Sequence, residues 1–239
     1  MSEQNPFLMR EVKSRRGGQA KEPLSRERIV EEALRLLTNE GHEGMSLRAV
    51  AAALETGPAS LYAYVDNLDA LRALVLDRAL AEVDTSRSAR RVGKARVKGV
   101  LESYVRVLLG TPGLAQLALS AIAVGPNSLR IIETLLDALD AAGLDSATAA
   151  WAVDLLMLYA TAIAAEQSQH DPAESRVSPI VRALQALSVD EYPRIHAARA
   201  ELVSGEGSER FEWAIDALIA GVLSHRRPHK RASPRKSRP

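Results

Sequence analysis

The chain has 239 residues, of which 46% are apolar and 26% charged, so it can bury the core of one or two water-soluble domains. It has no cysteine, which excludes disulfides and thiolate metal sites and suits a cytoplasmic protein. Aromatic residues make up only 4%, and the abundance of Ala and Leu favours helices over strands.

The net charge of +1 conceals an uneven distribution. Residues 1–21 carry +3, residues 225–239 carry +7, and the segment between them carries −9. Basic ends on an acidic body favour a polyanionic partner that the ends would contact. The alternative, which charge alone leaves open, is a pair of solubilising tails. We expect residues 1–22 to form a flexible basic arm and residues 225–239 a basic disordered tail.

Four helices are predicted in the first third of the chain. Ser25 and Ser46 each precede apolar residues at helical spacing and are expected to cap the first and second helices. Pro58 stands where a first helical residue belongs and starts a short third helix, to about residue 64. The pair Asp66-Asn67 is expected to cap a longer fourth helix. Because the second and third helices are so close in sequence, residues 23–84 are predicted to form a helix-turn-helix domain.

The remaining sequence is predicted to be an all-helical body, residues 85–224, behind a polar hinge at 85–92. No alternating strand pattern runs for more than a few residues, so the fold class is all-α: a three-helix helix-turn-helix domain followed by a helical bundle. The predicted helices of the bundle span 93–109, 112–124, 127–141, 146–168, 177–203 (broken near Pro193) and 208–224.

Two late helices are unusually apolar. Residues 149–165 are apolar all round and are predicted to be buried core, because Asp154 and the short Ala-rich composition disfavour a membrane span. The last helix has two apolar faces. One face is expected to dock on the body, and the other on a second copy, giving a homodimer. The first face consists of Phe211, Ile215, Leu218 and Val222. The second consists of Trp213, Ala214, Ala217 and Ala220.

Within residues 25–84, the segment LLTNEGHEGMSLRAVAAALETGPASLYAYVDNLDALRALVLD resembles the DNA-binding domain of the TetR family. The segment ERFEWAIDALIAGVLS resembles the last helix of the subfamily nearest the tetracycline repressor. The resemblance implies a homodimeric repressor that a small molecule releases from a palindromic operator, with an efflux or antibiotic-resistance gene as target.

The resemblance also implies DNA contacts. Arg48 matches a position that can reach a guanine, and Arg is the commonest side chain to read that base. The other candidates would contact a base or phosphate: Ser46, Ser60, Tyr62 and Tyr64. Each candidate has a structural alternative. Ser46 could be only a cap, Tyr62 partly core, and Arg48 a solvated surface charge.

Three positions depart from the family pattern. Glu55 stands where Gly is common in the turn, and a positive φ there would cost roughly 1 kcal/mol. Leu68 replaces a usual Lys, between the acids Asp66 and Asp69, which would repel phosphate. We expect basic residues of the arm to compensate, as a homeodomain arm does in the minor groove; they are Arg10, Lys13, Arg15 and Arg16.

A small-molecule site is expected inside the bundle, lined by Tyr104, Gln116, Asn127, Trp151, Asp154 and Tyr159. Trp151 and Asp154 are one turn apart, and an aromatic ring beside a buried acid suits a cationic or hydrogen-bonding ligand. The alternative is that Trp151 is core and Asp154 forms an ion pair or cap. The segment GLAQLALSAI lacks the histidine that holds magnesium in tetracycline-binding relatives, so no metal or other cofactor is predicted.

No catalytic motif is present, and we predict that the protein is not an enzyme. Among its five histidines, only the pair His225 and His229 has the spacing of two metal ligands on one helix face, and that pair falls in the predicted tail. A competing function from another class is an architectural protein that binds DNA without sequence preference through its basic ends. A regulator should prefer a palindrome, whereas a tail binder should not.

Overall fold

A computed structural model describes residues 5–7, 23–86, 92–121, 123–169 and 177–225. This part of the chain holds eleven helices and no strand, which confirms the all-α prediction. The helices are α1 Arg26–Gly44, α2 Leu47–Ala53, α3 Pro58–Leu61, α4 Leu68–Leu80, α5 Lys94–Gly110, α6 Leu114–Ser120, α7 Pro126–Asp140, α8 Ser146–Ser168, α9 Val177–Gln185, α10 Pro193–Leu202 and α11 Gly207–Ser224.

The predicted caps of the first helices are present. The Ser25 hydroxyl accepts a hydrogen bond from the Arg28 amide at 3.2 Å, and Ser46 accepts from Ala49 at 3.1 Å. Asn67 Oδ1 accepts from the Ala70 amide at 2.8 Å at the start of α4. These side chains pair amides that have no partner inside the helix, which is why the chain turns into a helix at these positions.

Several helices are shorter than predicted, and α9, for example, ends at Gln185 instead of near Pro193. Helix α3 ends at Leu61 instead of near residue 64, because the amides of Tyr64 and Val65 both bind the Leu61 carbonyl and tighten the last turn. Helix α6 ends at Ser120 instead of residue 124. There the Ser120 hydroxyl bonds the Leu117 carbonyl, and Ala121 takes an extended conformation.

Helix α4 belongs to both halves of the molecule. It packs against α1 on one side and against α5, α6 and α7 on the other. A second junction brings the end of α1 to the start of α6, where Gly113 has φ +76° and a side chain would collide with the His42 backbone. The helix-turn-helix therefore meets the body through α4, which contacts α5, α6 and α7, and through α1, which contacts α6.

The core of the body forms around α5 and α8, which pack against each other and against α6, α7 and α11. Helix α11 is also tied to α5 by Lys98, whose ammonium lies 3.4 Å from Glu212 and 3.2 Å from Asp216. These hydrogen bonds raise the pKa of Lys98, the bond with Asp216 contributing most. Helices α9 and α10 contact each other, and α10 buries none of its residues.

Helix α8 corrects one prediction. It is not buried on all sides, because Trp151, Leu155 and Leu158 form a stripe that is 41–63% exposed. Helix α8 is long and apolar enough to cross a membrane by length and composition, yet the core helix of a soluble protein satisfies the same test. Its contacts with four other helices of the body favour the core-helix interpretation.

Helix α11 has the two apolar faces that were predicted. Phe211 and Ile215 are buried against the body, and Leu218 and Val222 are half-buried. On the other face Trp213 is 74% exposed, with Ala217 and Ala220 exposed beside it. Trp151 and Leu155 of α8 and Ala217 of α11 line a common groove between the two helices. The exposed apolar residues of these two helices are together called the exposed apolar face.

Candidate DNA-binding surface and ligand site

The candidate DNA-binding surface is built on α2 and α3. Val50 and Leu61 anchor the two helices in the core with no exposed surface. Arg48, in the first turn of α2, and Ser60, on α3, are exposed, as a DNA-reading side chain must be. Exposure is equally consistent with a solvated Arg48, so this alternative stays open.

The two tyrosines differ in exposure. Tyr62 is 52% exposed, so much of its side chain is accessible from outside the protein, although a role that is partly core stays open. Tyr64 is half-buried and packs against the core, near Arg26 and the N-terminal residues Asn5 and Pro6. Tyr62 is therefore the better placed of the two to reach a phosphate.

The turn between α2 and α3 contains a strained residue. Glu55 has φ +50°, the only positive φ at a non-glycine residue in the described chain. Its predicted strain is therefore present. We expect Glu55→Gly to stabilise the protein by up to about 1 kcal/mol, since glycine adopts this conformation without a Cβ clash.

Urea unfolding of the two proteins measures this difference. Thr56→Gly serves as the control, because its φ is not positive and glycine there should only add freedom to the unfolded chain. A lower unfolding midpoint for Glu55→Gly, like that expected for Thr56→Gly, would contradict the strain.

Acidic residues lie where the fourth helix begins, as the sequence indicates. Asp66 and Asp69 are exposed and Leu68 is half-buried. Asp69 pairs with Arg72 at 3.1 Å, which offsets part of its charge.

The basic arm falls largely outside the described residues. Arg10, Lys13, Arg15 and Arg16 all lie there, as does the C-terminal tail beyond His225. Within residues 5–7, Phe7 is half-buried and packs against the core. The arm is thus fixed to the protein at this point.

Tyr104 lies deep in the body. Its hydroxyl is 2.8 Å from Thr161 Oγ1, and Thr161 in turn donates to the Met157 carbonyl at 2.8 Å, which leaves Tyr104 as the donor. Burial raises the pKa of Tyr104, and the bond with Thr161 partly opposes the rise. The phenol is neutral and its proton is bonded to Thr161, so with this hydrogen bond intact it could offer a ligand only its oxygen, as an acceptor.

Three other candidates join helices together. Gln116 Nε2 donates to Ser168 Oγ at 2.7 Å and so links α6 to α8. Tyr159 stacks on Phe211 with ring centroids 6.2 Å apart and fastens α11 to α8; its pKa is raised by burial and by the charge of Glu166. Asn127 binds Asp77 across the junction of α7 and α4.

Trp151 and Asp154 lie together, but not on a buried face. Both are exposed, which corrects the expectation of a buried acid beside an aromatic ring. They line a groove of about 510 Å³ between α8 and α11, whose other wall includes Leu218, Val222 and His225. The six candidate ligand residues thus occupy separate places, and these two alone share the groove.

Sequence reasoning missed Asp77. This side chain is 4% exposed on α4 and is bound by residues fifty positions away in the sequence. The sequence feature that could have indicated a buried, paired carboxylate is Asp77 itself, an acidic residue within the mostly apolar segment ALVLDRAL. For metals, the described residues contain no group of three or more His, Cys, Asp or Glu side chains that could hold an ion.

Comparison with known proteins identifies the family. Residues 94–226 match the family described as "Tetracyclin repressor-like, C-terminal domain". The HTH-type transcriptional repressor DrrR1 of Streptomyces coeruleorubidus is 28% identical over 215 residues, covering 84% of this chain and 78% of the relative.

Solved structures of the TetR family protein ActR of Streptomyces coelicolor are also similar. Apo ActR is 34% identical with a TM-score of 0.76, over 86% of this chain and 97% of ActR. ActR in complex with actinorhodin gives the same identity and TM-score, over 85% and 98% of the two chains. With the helix-turn-helix and the helical body described above, these matches show that the chain belongs to the TetR family of transcriptional regulators.

Proposed function

We propose that the protein is a repressor that binds a palindromic operator as a homodimer and leaves it when a small molecule binds the body. The observation that carries this proposal is the exposed set Arg48, Ser60 and Tyr62 on the helix-turn-helix of a TetR-family chain. We assign Arg48 to a base edge, Tyr62 and Ser46 to phosphates, and Ser60 to either.

The exposed apolar face supports the dimer. Trp151, Leu155 and Leu158 of α8 and Trp213 of α11 would remain in water in a single chain. A two-fold axis through this face would bury it against its own copy. Two recognition helices would then stand at a fixed spacing, as a palindrome requires.

The effector site is proposed for the groove between α8 and α11. Trp151 supplies an aromatic wall, Asp154 a negative charge and His225 a hydrogen-bonding group, so a flat ligand with a cationic or donor group would fit. Because the groove opens on the proposed dimer face, such a ligand would lie beside the second protomer. Its binding could change how the two protomers pack and hence the spacing of the recognition helices.

Tryptophan fluorescence tests the groove, since the chain has only two tryptophans. In a Trp213→Phe variant Trp151 is the sole reporter. Actinorhodin is the first probe because ActR is solved with it. An effector of the groove should quench this emission and release operator DNA over the same concentration range. Operator release without any change at Trp151 would place the effector site elsewhere.

The basic arm is proposed to add phosphate contacts outside the helix-turn-helix. Replacing Arg10, Lys13, Arg15 and Arg16 by Gln should flatten the slope of log K against log salt by up to about 7 units, because each contact releases about one counterion and the proposed dimer has two arms. Substitution is preferable to deletion, since Phe7 packs against the core. An unchanged slope in a fluorescence anisotropy titration would contradict the arm's role.

The regulated gene is proposed to encode an export or resistance function, and the protein to act in the cytoplasm without a catalytic activity. The alternative is an architectural protein that binds DNA through its basic ends. Selection of sites from a random duplex pool at about 0.15 M salt separates the two. A regulator should enrich a palindrome bound roughly 10³-fold or more tightly than random duplex, whereas enrichment of no motif would favour the architectural protein.

A further inference from the structure

Asp77 ties the DNA-binding half of the chain to the body. Its carboxylate lies on α4 and accepts hydrogen bonds at the start of α7 from two backbone amides and two side chains. The donors are Asn127 N at 3.0 Å, Asn127 Nδ2 at 3.0 Å, Ser128 N at 2.9 Å and Ser128 Oγ at 3.0 Å. The backbone carbonyl of Asp77 also accepts from Asn127 Nδ2 at 3.0 Å.

Helix α7 is built to receive this carboxylate. Its own N-cap residue, Gly125, makes no capping hydrogen bond from a side chain. A Cβ on Gly125 would collide with the Asp77 carboxylate and with the ring of Phe7. The free amides at the start of α7 and its positive dipole end therefore face Asp77, which serves as a cap supplied by another helix.

Phe7 covers the contact. Its ring lies at Gly125 beside the Asp77 carboxylate and is half-buried against the core. An aromatic ring at this position keeps water from competing for the hydrogen bonds, which are stronger in the drier surroundings. Phe7 thus covers the junction of α4 and α7.

Asp145 shows what an ordinary cap does in the same body. Its carboxylate accepts from the amides of Ala147 and Thr148, both at 3.1 Å, and from the Thr148 hydroxyl at 2.8 Å. These hydrogen bonds lower its pKa, the bond from the Thr148 hydroxyl contributing most. All these partners belong to the helix that directly follows Asp145, so its loss can weaken α8 but cannot release one half of the molecule from the other.

We infer that Asp77 is a latch that fixes the orientation of the helix-turn-helix relative to the body, acting through the start of α7. A movement of α7 would then be passed to α4, and so to the recognition helix, through the carboxylate. The effect of the latch on operator affinity rests on the proposed function. Its effect on orientation does not, because the latch acts within one chain.

Distance measurement between two spin labels tests the latch. The absence of cysteine allows labels at two introduced cysteines, Ala53→Cys on α2 and Glu133→Cys on α7, both exposed positions. A large excess of unlabelled protein restricts the signal to distances within one chain, whatever the oligomeric state. Asp77→Asn keeps the shape of the side chain but turns one acceptor into a donor that faces other donors.

We expect Asp77→Asn to broaden or shift the distance distribution, and Asp145→Asn to leave it unchanged while lowering the melting temperature. Operator affinity should fall roughly 5- to 150-fold for Asp77→Asn, the range typical of coupling between sites. If Asp77→Asn does not fold, the double variant Asn127→Ala, Ser128→Ala removes only the side-chain donors and should broaden the distribution in the same direction. A folded variant with the distance distribution of the parent would overturn the latch, even if operator binding were lost.

Discussion

Replacing Leu158 by Arg is expected to convert the protein to monomers and to weaken operator binding by roughly 10²- to 10⁴-fold, the gain that linked binding of two sites provides. Leu158 is 63% exposed on α8, so Arg costs the single chain little. In a two-fold dimer the same change places two guanidinium groups in an apolar interface, where neither has a partner. Sedimentation analysis gives the mass, and anisotropy on operator DNA gives the affinity.

Leu119→Arg is the matched control, since Leu119 is 54% exposed on α6 and does not line the groove between α8 and α11. It should leave both mass and affinity unchanged. A Leu158→Arg protein that stays dimeric and binds normally would show that the dimer uses another surface.

The second large effect is expected for Arg48→Ala. A bidentate Arg–guanine pair contributes about 1–3 kcal/mol, and the proposed dimer makes one such pair in each half-site, so affinity for the selected palindrome should fall roughly 30-fold to 2 × 10⁴-fold. The loss should be confined to sequences with the preferred base at one position of each half-site, because a phosphate contact would weaken all sequences alike. Measuring affinities for single-base variants of the operator separates the two results.

Arg106→Ala removes the same charge from an exposed position on α5 and is the control for electrostatic effects. Equal losses for Arg48→Ala on all operator variants would reassign Arg48 to the phosphate backbone. No loss at all would favour the alternative in which Arg48 is a solvated surface charge.

The features predicted well from the sequence are those that neighbouring residues determine. Ser25, Ser46 and Asn67 each accept a hydrogen bond from the backbone amide three residues later, so neighbouring residues are enough to predict that they cap helices. The positive φ of Glu55 matches what the resemblance implied, because the family commonly has Gly at this position of the turn.

Features that depend on tertiary contacts were predicted less well. Asp77 could not be paired with Ser128 in advance, because nothing local relates positions 51 residues apart. Trp151 was expected to be buried, since a helix that is apolar all round does not reveal which side the rest of the chain leaves exposed. Tyr104 and Trp151 were placed in one site, although periodicity within each helix says nothing about which faces of two helices meet.

The most direct test of a rigid dimer that reads two half-sites is a change in half-site spacing. Operators would carry the selected palindrome either intact or with about five base pairs inserted at its centre, which turns one half-site to the opposite side of the duplex. For a rigid dimer, the insertion is expected to lower affinity to that of a single half-site, and a further five base pairs should not restore it fully. Equal affinity for all three duplexes would contradict a fixed dimer and favour binding through the basic ends.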